Sequence, residues 1–176
     1  SSPPSSALDL SCPESKLLRG RLRAMASDLA SSWRSGAVPA DVKSADGLRR
    51  QAEKLVARAA ASAEHVGWTM VTIVSEYWRE RLASGPAGRR LLLLPDCPLA
   101  AGPHIEGVPQ VCGPQCAIAT LWSAARDSGW VVESTSRAVS SMASLLAGQY
   151  DGILGVARLR DLEKAFTRLP AFVLPV

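Results

Sequence analysis

The sequence predicts an α/β architecture in two parts. An N-terminal layer of about three helices precedes a small parallel sheet of about four strands with crossover helices, Rossmann-like in its winding. Three observations carry that prediction. Apolar residues recur at helical spacing from Pro13 to about Leu82. From Arg89 the pattern changes, and short apolar runs alternate with amphipathic segments, an order that yields right-handed crossovers and a parallel sheet. The first of those runs, Leu91–Leu94, is four leucines with arginines before it and a proline after it, as in a short, fully buried strand.

The opening residues, SSPPSSALDL, are flexible by composition, so residues 1–12 stand apart from the helical layer at 13–84 and the α/β part at 89–176. Pro13 and Glu14 suit a first helical turn: Pro lacks the amide hydrogen that would be unpaired there, and Glu favours the positive end of the dipole. Leu18, Leu22, Met25 and Leu29 then form one apolar face of a helix over about 13–34, ended by the segment Ser35–Pro39. Ser44 is the expected cap of a second helix with Leu48, Ala52, Leu55, Val56 and Ala59 inward. Gly67 is the expected interruption. In WTMVTIVSEYWRERLA the β-branched residues would suit a strand, but Val71, Val74, Trp78 and Leu82 give a helical stripe and Gly85-Pro86 a stop, so a third helix is expected.

In the α/β part, strand one is Arg90–Leu94. A helix over Pro114–Ser128 follows, with Ile118, Leu121, Trp122 and Ala125 inward and Gly129 as its stop. Strand two is Trp130–Glu133. Ser136 can cap a further helix whose inward face holds Val139, Met142 and Leu145 or Leu146. Strand three is Gly152–Val156, a last helix carries Leu159, Leu162 and Phe166, and strand four is Ala171–Leu174.

Composition narrows the classes of function. The chain has 176 residues, 47% of them hydrophobic, enough to bury a real core. No apolar run approaches the roughly 20 residues that span a bilayer. No secretory signal is visible, so a cytoplasmic, reducing setting is expected. Net charge is +4, but the arginines are scattered and alternate with acids on helices. That is the pattern of a solvated face, so no specific nucleic-acid binding is expected. There is no GxGxxG after a strand, no P-loop, no HExxH and no GxSxG.

The chemistry concentrates in RRLLLLPDCPLAAGPHIEGVPQVCGPQC, residues 89–116. It holds three of the four cysteines, Cys97, Cys112 and Cys116. In an open parallel sheet, ligands bind beyond the carboxyl ends of the strands. Asp96 and Cys97 follow strand one there, Ser134 and Thr135 follow strand two, and Arg158 follows strand three. Cys112 and Cys116 stand where the next helix begins, and a helix N-terminus favours the thiolate. A thiolate is both a metal ligand and a nucleophile. The three cysteines therefore suit zinc or an iron–sulfur cluster, with a fourth ligand from Cys12, His104, Asp96, a partner or an exogenous molecule. They equally suit a redox or nucleophilic thiol, and both readings stand ahead of small buried residues with no role. Arg158 suits an anion as well as a solvated helix start. A lone loop histidine such as His104 is more often structural than a ligand.

The segment from Arg90 onward resembles a bacterial and archaeal family known as domain of unknown function 116. The features that carry the resemblance are LLLLPDC (Leu91–Cys97), CGPQCAI (Cys112–Ile118) and GILGVARLRDLEKAF (Gly152–Phe166), over about residues 65–170. The family is rich in cysteine, which implies metal or iron–sulfur binding. Relatives joined to polyprenyl synthase-like domains imply an isoprenoid-linked setting. The sequence departs from the family pattern at Asp96, where the family has histidine, at Arg158, where it has cysteine, and at Ser134–Ser136, which replaces a Gly-Gly-Ser turn. Three readings follow. One is a metal- or cluster-binding α/β protein. The second is an accessory domain with a reduced cysteine site that docks a protein partner, or a second copy, through its helical layer. The third is a thiol-dependent enzyme.

Overall fold

The computed structural model describes residues 12–34, 38–84, 88–103, 105, 107–137, 143–144 and 147–156. They fall into two compact units, one within 12–84 and one within 88–156.

The first unit is helical. Helix α1 spans Lys16–Arg34, α2 Ala45–Arg58 and α3 Val66–Ser84. Helix α1 starts after Pro13 rather than on it. The Ser15 hydroxyl accepts from the Leu18 amide, and the Arg19 guanidinium donates to the Pro13 and Glu14 carbonyls. Ser44 caps α2 as expected, its hydroxyl accepting from the Gly47 amide. The core joins Leu22, Ala26, Ala30 and Trp33 of α1 to Leu48, Ala52, Leu55, Val56 and Ala59 at α2 and to Val66, Met70, Ile73 and Tyr77 of α3. The expected α1 stripe is therefore turned slightly. Leu22, Ala26 and Ala30 are fully buried, while Leu18, Met25 and Leu29 flank them half-buried. Small residues at a helix contact let the backbones approach closely.

Two readings of α3 need correction. Its fully buried apolar line is Val66, Met70, Ile73 and Tyr77, and of the expected stripe Val74 and Trp78 flank it half-buried. The same helix also buries Thr69 and Thr72, whose hydroxyls donate to the His65 and Trp68 carbonyls of their own helix. Those internal bonds remove the cost of burying the hydroxyls, so a polar pattern on the sequence becomes an interior face. Glu76, also buried, pairs with the guanidinium of Arg79 at 2.9 Å and lies 3.7 Å from that of Arg23 on α1.

The break between α2 and α3 does not fall at Gly67, which is buried in the first turn of α3. It falls at Ala60, in the left-handed region at φ 51. The Ala61 amide donates to the Val56 carbonyl and the Ala60 amide to that of Ala57, the paired bonds of a Schellman helix end. Glycine ordinarily holds that position, because an L side chain there costs about 1–2 kcal/mol. Ala60→Gly removes that strain but loosens the unfolded chain, so a net gain of about 0.5 kcal/mol is expected. Urea unfolding of the two chains compares them. An unchanged or lowered midpoint would count against a strained Ala60.

The second unit is a three-stranded parallel sheet of order β2-β1-β3, with β1 Arg90–Leu94, β2 Val131–Ser134 and β3 Gly152–Gly155. Leu91 to Leu94 pair in register with Val131 to Ser134, and Arg90 to Leu93 with Gly152 to Gly155. All four leucines of the central strand are buried, each contributing about 2 kcal/mol. Helix α4, Ala117–Asp127, packs Ala125 with the half-buried Ile118 and Trp122 on Leu92 and Leu94. Leu121, expected inward, is exposed. Gly129, at φ 75, ends α4. The Trp130 amide bonds the Ala125 carbonyl and the Gly129 amide that of Arg126, the same helix end that α2 makes with an alanine. At the start of β1, Arg89 and Asp151 exchange hydrogen bonds: the Arg89 amide donates to the Asp151 carboxylate and the Asp151 amide to the Arg89 carbonyl. That exchange sets the register of β3 on the central strand.

The sheet shares its parallel arrangement with the sequence expectation and has three strands among the described residues. The expected strand Ala171–Leu174, the helix with Leu159, Leu162 and Phe166, and the inward positions Val139, Met142, Leu145 and Leu146 lie outside the described residues. Ser136, the expected helix cap, lies within a short 3-10 turn, Thr135–Arg137, directly after β2.

Candidate metal centre

The loop from β1 to α4 carries the site. Cys97 lies three residues past the end of β1, and Cys116 is the residue before α4, with extended backbone at φ −68, ψ 131. Between them the loop folds back on itself. The Cys97 amide donates to the Gln110 carbonyl at 2.9 Å, and the Gln110 amide donates to Asp96 Oδ1 at 2.8 Å. That two-way clamp sets the exit of β1 beside the segment leading to Cys112. The Ser134 amide at the end of β2 donates to the Gly107 carbonyl and ties the same loop to the second strand. The Cys116 amide bonds the Gly113 carbonyl, which closes the turn from Cys112 to Cys116.

The result is a cluster of three sulfurs. The Sγ atoms of Cys97, Cys112 and Cys116 all lie within 4.8 Å of one another. No other His, Cys, Asp or Glu among the described residues belongs to the group. Cys116 is buried, Cys97 half-buried and Cys112 exposed, and all are free thiols. They are within the reach of a single metal ion, and the cluster sits at the carboxyl edge of the sheet, where the topology places ligand sites.

The three thiols are not equivalent. The backbone amides of Cys112 and of Ala119 and Ile118 in the first turn of α4 face the Cys116 sulfur and hold its pKa down to about 6. No side-chain hydrogen bond closes across the helix start, so the effect is that of amide dipoles near the sulfur. Cys112 goes the other way. Hydrogen bonding to the Cys97 sulfur, and to a lesser degree to that of Cys116, pushes its pKa up to about 11. The expectation that a helix N-terminus activates both Cys112 and Cys116 therefore holds for Cys116 alone. Helix α4 begins at Ala117, five residues beyond Cys112, and the dipole acts only over the first turn.

The other residues singled out in the sequence take different places. The Asp96 carboxylate accepts the Gln110 amide and builds the loop. Ser134 is fully buried, and its hydroxyl accepts the Ser136 amide and bonds the Ser136 hydroxyl, so it braces the turn after β2. Thr135 lies half-buried in that turn. His104 and Arg158 lie outside the described residues. Cys12 belongs to the helical unit, is exposed, and lies outside the cluster. Gln110 is the residue sequence reasoning missed. A glutamine in a loop rich in Pro and Gly has no distinguishing pattern, and only the fold reveals that its backbone joins Cys97 to Asp96. A mostly apolar cavity of about 220 Å³ lies between the same loop and α4, lined by Ile105, Val108, Pro109, Gln110, Val111 and Trp122 among others.

No protein-family model, curated protein or solved structure matches the chain.

Proposed function

We propose that this chain is a metal-binding α/β protein with a mononuclear thiolate site, and that zinc is the ion its donors suit best. The observation that carries the reading is the approach of three cysteine sulfurs to within 4.8 Å. Tetrahedral zinc with sulfur at about 2.3 Å holds its thiolates about 3.8 Å apart. Side-chain rotation of the order of 1 Å brings this cluster to that spacing. A cubane cluster places each thiolate on a different iron and spreads the sulfurs to roughly 6 Å. The spacing here therefore favours one ion over a cluster. Soft thiolates favour zinc or iron over magnesium or calcium. Backbone amides facing the Cys116 sulfur are outer-shell support of the kind that steadies a metal thiolate.

Three protein ligands leave the fourth position to a residue outside the cluster, to water or to a substrate. Sites of the last two kinds are those at which zinc acts as a Lewis acid or activates a bound group. Metal and acid-labile sulfide analysis of the anaerobically purified full chain, with an absorption spectrum, tests the reading. The expected result is about one zinc per chain and no sulfide. Sulfide and iron with absorbance on the order of 400 nm would make it a cluster protein instead. A folded, metal-free chain that also takes up no added zinc would remove the metal reading altogether.

A further inference from the structure

We propose that the cysteine site is peroxide-sensitive, and that a hydroperoxide closes a disulfide between Cys112 and Cys116 and thereby expels the metal. The disulfide rests on the geometry and exposure of the loop; metal release rests on the function proposed above.

Three features of the loop point to this pair. The Cys116 amide donates to the Gly113 carbonyl, so the short turn that joins the two residues is already closed. Their sulfurs lie within 4.8 Å, and a disulfide brings them to about 2.0 Å. The third thiol is held by a different device. Cys97 is anchored by its amide to the Gln110 carbonyl and reaches the others across the loop, not along one turn. Exposure also divides the roles. Cys112 is the exposed thiol and meets a dissolved oxidant first, whereas Cys116 is buried.

The chemistry balances with a hydroperoxide as the only oxidant. As a ligand, Cys112 is a thiolate. Its sulfur attacks the terminal oxygen of the hydroperoxide. An S–O bond forms, the O–O bond breaks, and alkoxide (hydroxide, when the oxidant is hydrogen peroxide) leaves. Cys112 is now a sulfenic acid and a poor metal ligand. The Cys116 thiolate then attacks the Cys112 sulfur. The S–S bond forms, the S–O bond breaks and hydroxide leaves. Two protons from solvent convert the leaving anions to alcohol and water. Two thiolates have lost two electrons in all, and the peroxide has gained them. Cys97 remains as one thiolate, too few donors to hold the ion. Thiol reductants reverse the disulfide, so the device is a switch and not simple damage.

The test uses the zinc-loaded full chain and hydrogen peroxide. Released zinc is followed with a chromophoric chelator. Free thiols are blocked with one maleimide, disulfides are reduced and labelled with a second, and each cysteine is assigned by peptide fragmentation. The expected result is release of zinc in step with loss of two thiols, the second label on Cys112 and Cys116, and recovery of zinc binding after reduction. C97S is expected to form the same disulfide, and C112S none. A disulfide that includes Cys97, oxidation to sulfinic acid without any disulfide, or zinc retained while other thiols oxidise would overturn the proposal. If the chain holds no zinc at the outset, the metal reading has failed. The same labelling of the metal-free chain then decides the disulfide separately: the Cys112–Cys116 bond supports it, and its absence refutes it.

Discussion

Iodoacetamide added to the metal-free chain at neutral pH is expected to modify Cys116 along a profile with its midpoint near pH 6, while modification of Cys112 keeps rising beyond pH 9. The sign follows from the two shifts. Cys116 is lowered from 9.0 to about 6, so its thiolate fraction grows as pH rises through 6 and is nearly complete by 7.5. Cys112 is raised from 9.0 to about 11, so its thiolate is scarce at that pH. The difference in thiolate population at pH 7.5 is of the order of a thousandfold. Intrinsic nucleophilicity falls with pKa and returns part of that advantage to Cys112, leaving Cys116 faster by roughly tenfold. Burial of Cys116 slows it further, so the profile is a firmer readout than the ratio. The same shifts bear on folding. Cys116 stabilises the fold above pH 9, and that contribution is lost as pH falls through about 6. Cys112 stabilises it below pH 9, and that contribution is lost as pH rises through about 11. Mass spectrometry of quenched samples across about pH 5–10 makes the measurement. A Cys116 midpoint near 9 would mean that the amides of Cys112, Ala119 and Ile118 do not act on its sulfur.

Much of the architecture was legible because it is written in strong local signals. Four leucines between arginines and a proline made β1, and the burial of all four follows from its central place between β2 and β3. Ser44 and Gly129 did at helix ends what their residue types favour. The misreadings arose where a residue takes a role its type rarely fills. Ala60 ends α2 in a conformation usually left to glycine, so its residue type carries no stop signal whereas that of Gly67 does. Thr69, Thr72 and Glu76 are polar and buried, so the interior face of α3 could not be found by hydrophobicity. At the site, the cysteines were visible as a group because three of four fall in one loop. Their inequality was not. It depends on which sulfur the first amides of α4 face, and that is set by a helix start at Ala117 that the sequence reading had placed at Pro114. Asp96 illustrates the same limit. Its type and place beside Cys97 suited a ligand, and its carboxylate instead accepts the amide that holds the loop closed.

Zinc affinity of the full chain is expected to rise at least about tenfold per pH unit from about pH 6.5 to about 8.5. A bound thiolate must first lose its proton. Cys116 has lost its own above about pH 6 and adds little to the slope in this range. Cys112, with its thiol raised to about 11, must release a proton at every pH in the range, and each such proton adds a factor of ten per unit. Competition with a chelator of known pH dependence measures the slope. Cys112→Ser is expected to weaken binding by at least about a hundredfold near neutral pH, since a three-thiolate set becomes a two-thiolate one, and to flatten the slope. Flattening separates a lost ligand from a disturbed fold: a variant that merely loosened the loop would bind less tightly but keep the slope. Cys12→Ser, at an exposed position in the other unit, supplies the matched control and is expected to change neither quantity. A wild-type affinity that stayed flat over this range would mean that the ion is held by groups already deprotonated. Carboxylates, not the three sulfurs, would then be its ligands.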